Sequence, residues 1–321
     1  MDGPCATPKR RTSGPAYTSR CIAGSCLLEW NEWSRPAHGI LLMTSSLARC
    51  FGVFGHPIAH SRSPAMHTAA LTRLGLGHRY LPFAVAPADL PAAIAGAKAM
   101  GFGGVNLTVP HKQAVLPLLD DVADEARRIG AVNTVAFVGG RAIGHNTDGR
   151  GFLRGLSELG AGEVTRATVL GAGGASRAVI EALCSAYPRA QIRWVSRTPL
   201  AQESSRGGVR TCSYAQLHAE PLGDLLVNTT TVGMPGGPTE FPATIDLAGS
   251  GPDLRVVDLV YAPAATDAAA ATPLVQQAQR LGLSAQDGRP MLLWQGVLAL
   301  ATWLDREIEP EVVAVMRAAL D

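Results

Sequence analysis

The 321-residue chain has few aromatic residues (5%) and few charges (17%), and the charges nearly cancel, to a formal +2. So small a balance gives no reason to expect nucleic acid or an anionic membrane surface as a partner. No apolar run reaches the roughly 20 residues that a membrane-spanning helix needs. The six cysteines (Cys5, Cys21, Cys26, Cys50, Cys184 and Cys212) form no C-x-x-C pair and no metal-ligand spacing. They read as reduced thiols of a cytoplasmic protein. The eight histidines make no ligand cluster, so no metal is expected.

Hydrophobic residues make up 47% of the chain, enough for a sizeable core, and the length suits about two domains. Abundant glycine and alanine favour an α/β protein with close helix–sheet packing. Residues 1–48 differ from the rest. They carry Pro, Gly, Ser, Thr and scattered basic residues, with no sustained hydrophobic period and no apolar run before a small-residue cleavage site. Two readings stay open for this tail: a disordered segment, or residues upstream of a translation start at Met43.

Beyond the tail, strand and helix signals alternate. Strands are predicted at 50–54, 80–85 and 104–109, and helices at 64–74, 88–100, 115–119 and 122–128. A hairpin is expected over 132–138 and 141–145, turning at Gly139-Gly140, with Asp148 at its end. A second series follows, with strands at 167–170, 191–195, 225–228 and 255–260 and helices at 175–186 and 274–281. Helices at 291–304 and 311–320 close the chain. Such alternation predicts mostly parallel sheets with helices on both faces.

Two loops carry chemistry on their own terms. In Ser61-Arg62-Ser63-Pro64, Ser63 falls at a helix N-cap and Pro64 at the first helical position. Two hydroxyls beside the free N–H groups of a helix start can hold a small anion such as a carboxylate. The loop Gly171-Ala172-Gly173-Gly174-Ala175 follows a strand and opens a helix, the setting in which glycines let a backbone approach a pyrophosphate. At the end of the next strand, Ser196-Arg197-Thr198 lacks the acid that would bind a ribose 2′-hydroxyl. Arg197 there favours the 2′-phosphate of NADP.

These loops stand in one order with Gly104-Val105-Asn106-Leu107-Thr108-Val109-Pro110-His111-Lys112, Gly130-Ala131-Val132-Asn133-Thr134, Asn146-Thr147-Asp148-Gly149, Asn228-Thr229-Thr230-Thr231-Val232-Gly233-Met234 and Met291-Leu292-Leu293-Trp294-Gln295-Gly296. From about Cys50 to the C-terminus, this series resembles the shikimate dehydrogenase family, which includes quinate/shikimate dehydrogenases. The resemblance implies reversible reduction of 3-dehydroshikimate to shikimate by a nicotinamide cofactor, NADP here, with NAD as the alternative. It implies a discontinuous substrate domain at 49–148, completed by 290–321, and a Rossmann-type NADP-binding domain at 149–289, as a monomer or homodimer.

By the same resemblance Lys112 and Asp148 are the acid–base pair. The lysine would give its proton to the developing alkoxide, and the carboxylate would fix its orientation. Ser61 and Ser63 would hold the substrate carboxylate, Asn106, Thr108, Asn133 and Gln295 the ring hydroxyls, with Tyr261 near the carboxylate end. Leu259 and Gly288 would lie near the nicotinamide and Asp124 on the cofactor side. His60, His67 and His111 read as packing or supporting residues. The chain departs from the family pattern at Thr68 and Thr231, where Asn and Ser are common. It also has Ser196 for the usual Asn, and Ala201 where a second Arg often stands. Ser63 favours shikimate over quinate. A ligand-sensing member without catalysis is disfavoured by retention of both Lys112 and Asp148, and a folate dehydrogenase by the Ser61/Ser63 pair.

Overall fold

A computed structural model of the protein describes residues 48–199, 208–234, 236–261 and 271–320. The tail readings and the Ala201 position lie outside these residues. The first sheet is built from β1 (Cys50–Gly55), β2 (Arg79–Ala84), β3 (Gly104–Leu107), β4 (Asp121–Val122), β5 (Thr134–Val138) and β6 (Arg141–His145). Its order is β2-β1-β3-β5-β6-β4. The β1–β2, β1–β3 and β4–β6 pairs are parallel, and β5 enters antiparallel to β3 and β6. The hairpin turn sits at Gly139 and Gly140, both at positive φ, which glycine adopts without strain.

The helices of this half are α1 (Ser63–Arg73), α2 (Leu90–Ala99), α3 (His111–Ala114) and α4 (Asp124–Ile129). Three expectations are corrected. Ser63 is the first helical residue and not the cap. Arg62 occupies the cap position with near-helical torsions, and its carbonyl accepts from the Met66 N–H. The helix expected at 115–119 is a single 3₁₀ turn at Leu116–Leu118, because Pro117 has no N–H to continue a ladder. The helix expected from Val122 starts at Asp124. Residues 120–123 instead bond along β6, with Asp120 N–H on the Ala142 carbonyl and Ala123 N–H on that of Gly144.

The second sheet is wholly parallel. It comprises β7 (Arg166–Leu170), β8 (Gln191–Ser196), β9 (Val209–Ser213), β10 (Leu225–Asn228), β11 (Arg255–Asp258) and β12 (Ser284–Gln286), in the order β12-β11-β10-β7-β8-β9. Counted from β7, this is the 3-2-1-4-5-6 order of dinucleotide-binding sheets, with the reversal between β7 and β10. Its helices are α6 (Gly174–Ala186) and α7 (Pro273–Arg280).

Between the two series lies α5 (Asp148–Glu158), a helix the sequence reading did not include. Gly149, Gly151 and Gly155 lower its intrinsic helix preference. The glycines are there for close approach: a Cβ at Gly151 would fall 2.6 Å from the Gln295 backbone nitrogen, and one at Gly149 2.9 Å from the Ala178 carbonyl oxygen. α5 therefore lies tight against both α6 and the penultimate helix α8 (Arg289–Leu304). α8 and the final helix α9 (Pro310–Ala318) pack onto the first sheet. Leu293, Val297, Leu300, Trp303, Val312 and Met316 share one core with Phe51, Val53, Met66 and Tyr80.

His67 is fully buried in this core, stacked on Tyr80 with the ring centroids 4.3 Å apart, and neither ring nitrogen has a hydrogen-bond partner among the described residues. Burial pushes its pKa from the ordinary 6.5 down to about 3. Below pH 6.5 the unfolded chain binds a proton that the folded chain refuses, so stability falls as pH drops. Between pH 7 and pH 5 this one site removes about 2 kcal/mol. Urea unfolding at the two pH values should show a loss of that order, and a markedly smaller loss in His67→Phe. Equal losses in both proteins would mean that His67 carries none of it.

Candidate active site

The loops after β10 and β11 and the start of α6 at Ala175 open onto a cleft of about 490 Å³, whose opposite wall comes from the ends of β1 and β3, the start of α5 and the helix α8. At the head of the cleft the chain leaves β7 through Gly171, at φ +120°, where a Cβ would strike the Thr229 hydroxyl at 2.4 Å. Gly173 caps α6 without a side chain, and nothing lies within 4 Å of where its Cβ would be. The start of α6 is thus open on the side of Gly173, where an anion could approach the helix N-terminus. Ala172 and Gly173 are exposed. The Trp194 indole donates to the Gly171 carbonyl at 2.5 Å, which fixes the loop from behind.

The glycine helix also abuts the opposite wall. A Cβ on Gly174 would lie 3.2 Å from the Lys112 Cβ. Lys112 is held by its own backbone, whose carbonyl accepts from the Val132 N–H at 2.7 Å, and by its buried neighbour His111, hydrogen-bonded to the Val85 carbonyl oxygen at 2.8 Å. Its Nζ donates to Asp148 Oδ2 at 2.6 Å. Asp148 is the first residue of α5, and its side chain is only 4% exposed against 18% for the lysine. Its other oxygen, Oδ1, accepts from Asn133 Nδ2 at 2.8 Å. Asn133 is fixed in turn, because its Oδ1 accepts from the Thr147 N–H at 2.8 Å and from the Thr134 hydroxyl at 3.0 Å. Both carboxylate oxygens are therefore committed, and the lysine keeps two N–H bonds for the cleft.

Ser61, Ser63, Asn106, Thr108, Asn133, Tyr261 and Gln295 all line the same cleft as Lys112 and Asp148. Ser61 Oγ accepts from the Ser63 N–H at 3.3 Å, which folds the serine loop. Tyr261 reaches this loop from the second sheet. Burial raises its pKa, and the Arg62 guanidinium and backbone N–H beside its oxygen pull it back. Gln295 Nε2 bonds its own helix at the Leu292 carbonyl, at 2.8 Å, while Oε1 lies 3.4 Å from Asn133 Nδ2.

Of the residues expected around a cofactor, Ala175, Leu259 and Gly288 line the cleft. A Cβ at Gly288 would fall 2.1 Å from the Leu259 carbonyl oxygen, so these two backbones touch only because position 288 is glycine. Ser196 is buried and donates to the Thr198 carbonyl at 2.6 Å, while Arg197 and Thr198 are exposed beyond the end of β8. Arg197 lies near Tyr214, whose pKa burial pushes up to about 12 against the pull of that guanidinium. Asp124 is not brought in: it is exposed at the start of α4, outside the cleft lining.

Several lining or supporting residues were given no site role from the sequence, although 228–234 read as one of the family motifs. Thr229, Thr230, Thr231 and Met234 border the cleft. Behind them Asp258, 1% exposed, accepts from Asn228 Nδ2 at 2.8 Å, from the Thr272 hydroxyl at 2.6 Å and from the Val260 N–H at 3.1 Å. Burial raises its pKa, and these three donors act against that rise. Asn228 Oδ1 also takes the Thr230 hydroxyl at 2.7 Å, so one carboxylate ties the loops after β10 and β11 together. No cluster of His, Cys, Asp or Glu suited to a metal ion occurs among the described residues, and none of their helices is long and apolar enough to cross a membrane.

Residues 53–135 match the family model described as the shikimate dehydrogenase substrate binding domain. The chain is 43% identical over 280 residues to a shikimate dehydrogenase (NADP(+)) of Geobacter metallireducens, covering 83% of this chain and 94% of that one. It is similar to the crystal structure of shikimate 5-dehydrogenase from Thermus thermophilus in complex with NADP(H) and shikimate, with 39% identity and a TM-score of 0.71 over 84% of this chain and 99% of that one. The ligand-free 5-ketofructose reductase of a Gluconobacter strain is also similar, at 34% identity and a TM-score of 0.68, over 85% and 98% of the two chains.

Proposed function

The chain belongs to the shikimate dehydrogenase family, and on that premise we propose that it catalyses the reversible NADPH-dependent reduction of 3-dehydroshikimate to shikimate. The observation that carries this reading is the Lys112–Asp148 contact of 2.6 Å inside a cleft lined with hydroxyls and amides. Lys112 gives a proton to the carbonyl oxygen of the ketone as charge develops there, and takes one back from the hydroxyl in the reverse direction. Asp148, held by Asn133, keeps the ammonium aimed and balances its charge. Ser61 and Ser63 receive the substrate carboxylate at the start of α1. Asn106, Thr108 and Gln295 meet the ring hydroxyls.

NADPH supplies the hydride when bound. The glycine loop, open at Ala172 and Gly173, fits its pyrophosphate, and Leu259 and Gly288, in the cleft wall, would border the nicotinamide. Arg197 reads the 2′-phosphate; its exposure leaves the guanidinium free to turn toward an anion. We assign the substrate side to residues 49–148 with 290–321 and the cofactor side to 149–289. The similarity to a 5-ketofructose reductase makes a sugar ketone the second candidate substrate. The paired serines favour a carboxylate, which that sugar lacks.

Initial rates followed at the nicotinamide absorbance band, with shikimate, quinate and a keto sugar each crossed with both cofactors, decide the matter. The highest kcat/KM is expected for shikimate with NADP. Turnover of the sugar alone would transfer the protein to the other activity. In Arg197→Ala the KM for NADP should rise about tenfold, the scale of one lost charge-assisted contact, with little change for NAD. Equal changes for the two cofactors would mean that Arg197 does not read the phosphate.

A further inference from the structure

Tyr80 does not line the cleft, yet its hydroxyl reaches a residue that does. It sits on β2 opposite Phe51 of β1, while Asn106 sits on β3 opposite Val53 of the same strand. The phenol crosses β1 to lie 2.8 Å from Asn106 Oδ1. Its ring is 3% exposed and lies nearly parallel to the His67 imidazole, at 14°. Stacked face to face, His67 offers the phenol no hydrogen bond.

The polarity of the Tyr80–Asn106 bond follows from the other end of the amide. Asn106 Nδ2 lies 3.2 Å from the Asn133 carbonyl oxygen and 3.1 Å from the Thr134 hydroxyl. A carbonyl oxygen only accepts, so the NH₂ group must face it and Oδ1 must face Tyr80. The phenol is therefore the donor. Burial raises the pKa of this phenol, and the neighbouring Ser63 side chain acts against that rise. One buried hydroxyl thus holds the strand that carries Asn106.

We propose that Tyr80 is a positioning residue for substrate recognition, holding the Asn106 amide so that the cleft presents an acceptor, and no donor, to the ring hydroxyl it meets. This rests on reading the cleft as a shikimate site. Both amide protons of Asn106 are spent inside the protein, and one lone pair of Oδ1 is taken by Tyr80. The remaining lone pair serves the cleft, so a substrate hydroxyl there must donate. Without the phenol hydroxyl the amide is free to tilt, and binding weakens equally in the ground state and the transition state. Such a loss appears in KM and not in kcat.

The test is steady-state kinetics of full-length Tyr80→Phe, which keeps the ring stacked on His67. We expect the KM for shikimate to rise about tenfold, with kcat within about twofold of wild type and the KM for NADP unchanged. A general structural defect would move all three together. In an Asn106→Ala background, Tyr80→Phe should add nothing further to the KM for shikimate. An unchanged KM in Tyr80→Phe, a parallel shift of the KM for NADP, or an undiminished effect in the Asn106→Ala background each overturns the inference. If Asn106→Ala does not fold, the split between the two KM values decides alone. A wild-type protein that does not turn over shikimate overturns the proposed function, and this inference with it; an active wild type with an indifferent Tyr80→Phe overturns only the inference.

Discussion

One ion pair, Lys112 to Asp148 at 2.6 Å, sets the demands that the rest of the cleft meets. The carboxylate is almost fully withdrawn from water. Taking a charge out of water costs several kcal/mol, and a buried pair returns that only with good geometry and with its remaining hydrogen bonds made. Here the second carboxylate oxygen is satisfied by Asn133, and Asn133 by Thr147 and Thr134. With these bonds made, the pair offsets its own desolvation, and its main effect is to fix position. It leaves one ammonium at the cleft, with two of its protons free.

The fold brings the partners together from separate elements. Lys112 comes from the short helix after β3, Asp148 from the start of α5, and the glycine loop from the end of β7. α5 carries the constraint: its three glycines let it lie against α6 on one side and α8 on another. Gly174 does the same at smaller scale, since any side chain there would press on Lys112. Close backbone approach at these points accounts for these four glycines, whereas others, such as Gly139 and Gly140, serve turns at positive φ.

Much of this was legible in the sequence, in physically uneven ways. The parallel second sheet followed from β–α alternation, because each buried strand is a short apolar run between turn signals. The Ser61/Ser63 loop, the Lys112 and Asp148 motifs and Gln295 read as separate segments, and the structure lines one cleft with them. What failed were features set by neighbours. α5 was invisible because the glycines that let it pack also weaken its helical signal. The cap position shifted from Ser63 to Arg62 because backbone torsions, not side-chain type, start that helix. Tyr80 read as an ordinary strand aromatic, since only the pairing of β2 and β3 on either side of β1 brings its hydroxyl to Asn106. Asp258 was missed for the same reason: its partners Asn228 and Thr272 lie 30 and 14 residues away in sequence.

The central claim is that the amine at position 112 moves the proton. Its most direct test is the turnover of Lys112→Ala with shikimate and NADP, in a protein shown to fold by its thermal transition. Loss of a positioned acid–base group predicts a fall in kcat of about a hundredfold or more, with the KM for shikimate little changed. Turnover close to wild type would contradict it and remove the lysine from the chemistry.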